Sequence, residues 1–557
     1  MSKTFLPNPP SCKPSQPPFL PQVFLRVSQT VLIAIGLTVT ISQPGQATRG
    51  TEPEIRVGVV QRFGTAPTDK LILEAPQGDR LTLQFKTGNQ VQRVTTNRVQ
   101  LEIVPQPLSQ PVLEERVIFS THRSFESAED DAKRWRARGI EVDLAQPKRW
   151  QVWAKQDTYN TPLLRRLLIQ SLQTQGVQFH FESKLVRQVP RVSWVVNGFR
   201  YSRDELDIVA GKRLIQVQKN TSDERVTRLY AGSLRIQPNA YGTYTLVNQV
   251  SIETYLRGVV PHEIGLGAPP ETIEAQAILA RTYALRNLRR FAIDHYELCA
   301  DTQCQVYWGL KGSHPKTDQA ILNTRGLVLT YNNELVDALY SSTTGGITAP
   351  FNDVWNGPDR PYLRAVVDSA NKIWDLSRQS LGDERNLRQF LNRRQGFNEE
   401  RWEMFRWRYP STLTDITRDL QKYLRSINSP DAGLKAVQKI QVTKRSPFGR
   451  VLKVAITTDR GVIEIEKDNI LNAFYAPTST LFYLEPLNGP NKVLQGYAFV
   501  GGGMGHGVGL SQTGSYRLGE LGWTSDRILQ FYYPGTQLQP ISPTITFWRE
   551  PSLPSPN

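Results

Sequence analysis

The chain has 557 residues, 39% hydrophobic and 21% charged, with 67 Lys+Arg against 51 Asp+Glu for a formal net charge of +16. That is the balance of an ordinary globular protein, long enough for two to four domains with sizeable cores. Three cysteines are too few for a disulfide scaffold, so any covalent staple is local.

At the N-terminus Lys3, Lys13 and Arg26, with no acidic residue among them, precede an apolar run from Val31 to Ile41 and then Gly45-Gln46-Ala47. This is the order of a secretory signal with a long proline-rich leader, and the apolar run is short of the roughly 20 residues that a bilayer core requires. The expectation is a signal peptide over 1–47 and an exported protein that works in the periplasm or cell wall. Its removal would lower the charge to +13 and take away Cys12, leaving Cys299 and Cys304. A surplus of that size either merely keeps the surface soluble or suits polyanionic surroundings, which outside the cytoplasm are wall polymers or lipid headgroups rather than nucleic acid.

Residues 48–110 read as a small β region: Glu54 to Val60 and Leu71 to Phe85 alternate apolar and polar residues around turn-rich segments. A small α/β module follows over 111–190, with strands at Arg116–Ser120 and Trp150–Ala154 around a helix near Ser127–Arg138 that Gly139 ends. It faintly resembles a wall-glycan-binding sporulation-related repeat, without a sharp motif. Strands return from Val192, among them 213–218, 228–236 and 243–250. The stretch from Asp368 to Lys435, with Trp402, Phe405, Arg406 and Trp407, reads as charged and helical; strands resume over 440–465. The tail 541–557 reads as loose. The expected fold class is α+β, with β-rich domains packed around a central amphipathic helix.

That helix is expected from Pro270 to Phe291, opened by Pro269-Pro270, with Ile273, Ala277, Ala280, Ala284, Leu288 and Phe291 as one narrow apolar stripe. Just before it, His262-Glu263 reads as a loop after a strand-like Gly258-Val259-Val260. A carboxylate held at such a junction can be partly desolvated and aimed at a ligand, the environment that raises a catalytic acid's pKa. Most glutamates in such loops are surface or capping groups. The His-Glu pair does not make a zinc peptidase, because Leu266 stands where the H-E-x-x-H motif needs its second histidine.

Two further clusters carry chemistry. His295, Cys299 and Cys304 have ligand-like spacing, but a tetrahedral structural zinc needs a fourth ligand, and a Cys299–Cys304 disulfide is the competing reading. The run FVGGGMGHGVGLSQTG, from Phe499 to Gly514, contains neither G-x-G-x-x-G nor a phosphate-loop Lys-Ser/Thr. Its glycines permit close approach to a sugar chain. Gly503, Gly505, His506, Gly507, Ser511 and Gln512 are the candidate substrate contacts, with His506 equally readable as a structural histidine bonded to the loop backbone.

The stretch YLRGVVPHEI followed by PPETIEAQAILARTYAL is similar to the signature of the stage II sporulation protein D and amidase-enhancer family. Ser341-Ser342-Thr343-Thr344-Gly345-Gly346, Asp353-Val354-Trp355 and the glycine run extend the resemblance over about 191–540. It implies a peptidoglycan-active domain whose acid/base is Glu263. Arg281, matching the family's helix arginine, would bind or polarise the site, or else pair with Glu274. The implied activity is that of a lytic transglycosylase needing no cofactor beyond a possible structural zinc. The alternative is a non-catalytic glycan-binding enhancer of a cell-wall amidase. Partners are accordingly glycan strands and possibly such an amidase.

Overall fold

The computed structural model describes residues 52–221 and 224–549. The expected signal peptide lies outside them. Among the described residues no helix is long and apolar enough to cross a membrane.

Helices and strands are mixed throughout, as expected, but the boundaries between the N-terminal regions dissolve. Strand Glu54–Phe63 pairs antiparallel with Tyr244–Ser251, which continues through Arg225–Pro238 and Leu206–Asn220 into Lys70–Glu74. The long strand Arg98–His122 then carries the same thirteen-stranded sheet into the small module through Trp150–Ala154. The alternation that suggested a separate β region instead marks strands with one face on a shared core, where Ile55, Val57, Leu71, Leu73, Leu234 and Leu246 are buried. In the module, helix Phe125–Ala137 buries Phe125, Ala128, Ala132 and Trp135, capped by the Ser124 hydroxyl accepting from the Ser127 N–H. A second helix, Pro162–Thr174, was not anticipated.

Two helices sit against this sheet. Ile252–Glu263 is helical to its last residue, so Gly258-Val259-Val260 is not a strand and Glu263 does not belong to a loop. The apolar run Val259-Val260 suggested a strand; tertiary burial of Tyr255, Leu256, Val259 and Val260 on the core overrode that local preference. Helix Pro270–Arg286 ends before the expected Phe291, and it is not amphipathic in the sense expected. Nearly every side chain from Thr272 to Arg286 is buried, because the helix is enclosed by Ile252–Glu263, Pro315–Asn323, Leu327–Tyr331 and Ser525–Tyr532. Its alanines let those neighbours approach on all sides.

The region between the Ser341–Gly346 segment and the glycine run has cores of its own. Strands Trp407–Thr412, Phe482–Asn488 and Leu494–Gly501 make one sheet, and Val437–Arg445, Val451–Thr458 and Gly461–Glu466 another. Helix Leu413–Ser426 packs Ile416, Leu420 and Leu424 between them. Trp402 to Trp407 is a short 3₁₀ turn entering a strand rather than the expected helix. The chain then returns beside its starting point: Tyr340–Ser341 pairs parallel with Leu510–Ser511, and Thr343 bridges Met504. The tail is also more ordered than expected as far as Arg549. Ile545 is buried, and the Leu335 N–H donates to the Thr546 carbonyl at 2.9 Å.

Candidate active site

Glu263 ends its helix with the carboxyl group turned between two walls. On one side is loop 304–310, where the Val306 N–H donates to Glu263 Oε1 at 2.7 Å. On the other is helix Gln512–Glu520, whose first residue donates from Gln512 Nε2 to the Glu263 carbonyl at 2.9 Å. Tyr516, one turn later on the same face, donates its hydroxyl to the Ile264 carbonyl. Beneath lie Tyr255, Tyr283 and Tyr340, each of whose hydroxyl groups is held further from ionisation by burial and by the neighbouring Glu263. Gln305 ties two of them together, accepting from the Tyr255 hydroxyl at 3.1 Å and donating to the Tyr340 hydroxyl at 3.0 Å.

Protein packed round the Glu263 carboxyl raises its pKa to about 7, although part of the side chain still meets solvent. Burial is the cause, only partly offset by hydrogen bonds from the Val306 backbone and the Gln512 and Tyr340 side chains. No second carboxylate contributes to this shift. At neutral pH the group is therefore divided between acid and base forms.

Arg281 is elsewhere. Its guanidinium is fully buried and grips Glu253 at 2.8 Å and 2.7 Å, with a third bond of 3.0 Å to the Leu327 carbonyl. Glu253 also accepts from the Gly326 N–H at 3.1 Å. The arginine thus locks the long helix to the first turn of the helix that carries Glu263. It neither reaches Glu263 nor pairs with Glu274, which accepts instead from Asn323 and Ser525. Helix periodicity puts Glu274 and Arg281 on one edge, but the ion pair is made across helices.

The glycine run is chiefly a packing device. Gly503 has φ +87°, and a Cβ there would lie 2.8 Å from the Gly345 nitrogen. At Gly507, φ +73°, it would strike the Arg450 guanidinium. Arg450 in turn donates to the Thr344 and Ile347 carbonyls at 2.8 Å each. Gly505 and His506 keep partial exposure. His506 Nδ1 accepts from the Val508 N–H at 3.0 Å, a bond to its own loop that leaves the ring proton on Nε2. Burial lowers its pKa to about 4, so the ring is neutral at physiological pH. Ser511 is buried, its hydroxyl donating to Glu399 and accepting from the Gly514 N–H at 3.0 Å as a helix cap. Of the six glycine-run candidates, Gln512 alone has a bond to Glu263.

Cys299 and Cys304 are joined by a disulfide, and His295 stands exposed in a left-handed turn at φ 58°. The expected zinc set is therefore not assembled, and among the described residues no group of three or more His, Cys, Asp or Glu is placed to hold a metal. The disulfide closes the loop whose next residues, Gln305 and Val306, touch the site. Sequence reasoning missed those two, along with Tyr255 and Tyr340. The available signal was their place beside Cys304 and, for Tyr340, beside Ser341.

Residues 240–331, which include Glu263, match the family model described as Stage II sporulation protein. The resemblance read from the motifs is thereby shown. Residues 349–509 match a Domain of unknown function (DUF8618), which covers most of the glycine run but neither Ser511 nor Gln512. The chain is 27% identical over 361 residues to the Amidase enhancer of Bacillus subtilis, covering 56% of this chain and 47% of that relative. It is 26% identical over 345 residues to Stage II sporulation protein D of the same organism, 58% of this chain and 86% of the relative. An uncharacterized protein of Brachyspira hyodysenteriae is likewise 26% identical, over 56% of this chain and 72% of its own length. The chain thus spans about half the length of the amidase enhancer.

Proposed function

We propose that the protein is an exported peptidoglycan lytic transglycosylase in which Glu263 is both acid and base. The observation that supports this reading best is a carboxyl group with no neighbouring carboxylate and a pKa of about 7, on a residue that keeps partial exposure. Its relatives are named for enhancing an amidase and for sporulation, which supports an envelope setting for this reading.

Glycoside cleavage needs an acid to protonate the departing oxygen, and ordinary hydrolases add a second carboxylate as nucleophile or to activate water. A transglycosylase dispenses with the second, because the 6-hydroxyl of the muramyl sugar attacks its own anomeric carbon. The protonated Glu263 gives its proton to the glycosidic oxygen, and the resulting carboxylate takes the proton of the 6-hydroxyl as the 1,6-anhydro ring closes. A pKa near 7 suits both halves, since each form is populated. The Val306 N–H steadies the carboxylate produced in the first half, and Gln512 fixes the backbone that carries it.

Changing Glu263 to Gln keeps the shape of the group and removes its proton traffic. Cleavage is expected to fall by at least about 10²–10⁴-fold, with glycan binding retained. Mass spectrometry of incubated glycan strands provides the check. Anhydromuramyl ends from wild type alone fit the reading; equal yields from the variant would move the acid elsewhere, and reducing ends would mean a hydrolase. The similarity to an amidase enhancer supports a second reading, a glycan-binding stimulator of a wall amidase. Wild type that cleaves no glycan but accelerates an amidase would favour it.

A further inference from the structure

Large aromatic side chains are normally covered in a folded protein, since leaving an indole in water forfeits the hydrophobic gain of burying it. All eleven tryptophans lie within the described residues, and two of them are exposed: Trp308 at 40% and Trp402 at 38%. Both are attached to the walls of the Glu263 site, one to each wall.

Trp308 lies two residues beyond the Val306 N–H that reaches the acid, and its ring packs 4.5 Å from that of His262, the residue before Glu263. Its loop is fastened on both sides, by the Trp308 N–H to the Gly258 carbonyl at 3.3 Å and the Leu310 N–H to the Leu229 carbonyl at 2.7 Å. Trp402 comes from the distant 349–509 region and sets its ring edge-on at 5.6 Å against Tyr516. Tyr516 in turn holds Ile264, the residue after Glu263. The two exposed indoles are thus tied, directly or through Tyr516, to the residues immediately before and after the acid in the chain.

An indole fixed in place and partly offered to solvent presents apolar ring surface at little entropic cost to the partner that covers it, and on Trp308 that surface is what His262 and the Arg228 guanidinium, 5.4 Å from the ring centre, leave open. Pyranose rings carry such a partner surface, the axial C–H groups on one side of the ring. We infer that Trp308 and Trp402 are stacking platforms for sugar rings on opposite sides of the bond to be cut, one holding the departing strand and the other the strand that keeps the muramyl end. The inference rests on the glycan reading above and adds to it two binding subsites. The extra region thereby supplies part of the substrate cleft.

The test uses the full chain with Glu263→Gln, so that binding is measured without cleavage, and purified peptidoglycan glycan strands as the probe. Trp308→Ala and Trp402→Ala are each expected to weaken binding about tenfold, as loss of a central aromatic anchor does. Trp308→Phe and Trp402→Phe should restore most of it, and thermal unfolding of every variant checks that the fold is kept. Iodide quenching of tryptophan fluorescence gives an independent reading, because bound strands should shield the two exposed indoles. Alanine variants that stay folded and bind as the parent does would overturn the platforms while leaving the catalytic reading intact. Failure of the parent to bind any glycan strand would overturn both. Loss of binding that Phe does not restore, or undiminished quenching in the complex, would show that the indoles do not meet sugar.

Discussion

Two carboxylate centres lie on either side of Ser511 and Gln512, and their difference shows what separates an acid that reacts from one that holds the fold. The Glu263 carboxyl is bonded by the Val306 backbone and the Gln512 and Tyr340 side chains and belongs to a residue that keeps partial exposure. Glu399 is wholly enclosed and accepts from four donors: the Thr344 N–H and hydroxyl, the Gly346 N–H at 2.7 Å and the Ser511 hydroxyl. Beside it Asp368 accepts from Asn398 and from the Tyr532 hydroxyl, each at 2.8 Å. Burial and the adjacent Glu399 push the Asp368 pKa well above the carboxylate range, so Asp368 keeps its proton. A raised pKa thus marks both places, and alone it would not tell them apart. Access to solvent does.

The comparison breaks most readily at Glu399. Replacement by Ala strands the Thr344 and Gly346 amides and the Ser511 hydroxyl in a closed interior. With about 1–3 kcal/mol for each unpaired group, the expected loss is on the order of 4 kcal/mol, or failure to fold. Chemical denaturation measures it. A variant within about 1 kcal/mol of wild type would mean that Glu399 is not a structural anchor, since typical surface changes fall in that range.

Arg281 sharpens the comparison from the other side. Arg281→Met removes the partner of the largely buried Glu253, and breaking such a pair costs roughly 3–5 kcal/mol. Cleavage per folded molecule should survive, because the guanidinium does not reach Glu263. Normal stability with lost cleavage would return the arginine to the reacting group.

How much of this was legible follows the range of the interactions. Glu263, the two prolines that open the long helix, and most strands are written in local patterns. The direction of Arg281 is not, since its partner lies 28 residues away on another helix. Nor is the enclosure of the long helix, for periodicity describes one face and not what covers the others. His295 looked like a ligand on spacing, but it stands exposed in a left-handed turn while the two cysteines bond to each other. The walls of the site come from loop 304–310 and from residue 512 onward, and only the closed fold brings them to residue 263.

The smallest expected effect tests the premise most directly, because it asks whether the Glu263 carboxyl is perturbed at all. Its pKa rises from 4.5 to about 7 on folding. The native state therefore binds this proton more tightly than the unfolded chain does, so folding is favoured at low pH and loses stability as pH climbs between those two values. Full desolvation would make the loss about 3 kcal/mol at 1.36 kcal/mol per pKa unit, and the solvent-facing part of the side chain reduces it to about 1–2 kcal/mol. Gln does not titrate. Glu263→Gln should therefore gain stability over wild type progressively from pH 4.5 to 7, and by a constant amount above that. Unfolding free energies of both proteins at pH 5 and pH 8 decide the matter. In wild type the same proton should govern chemistry, so that cleavage declines above about pH 7 as the acid form is lost. Parallel stability curves across the window would mean an ordinary carboxyl group, and a lone ordinary carboxylate, ionised at neutral pH, could not supply the proton that strand cleavage requires.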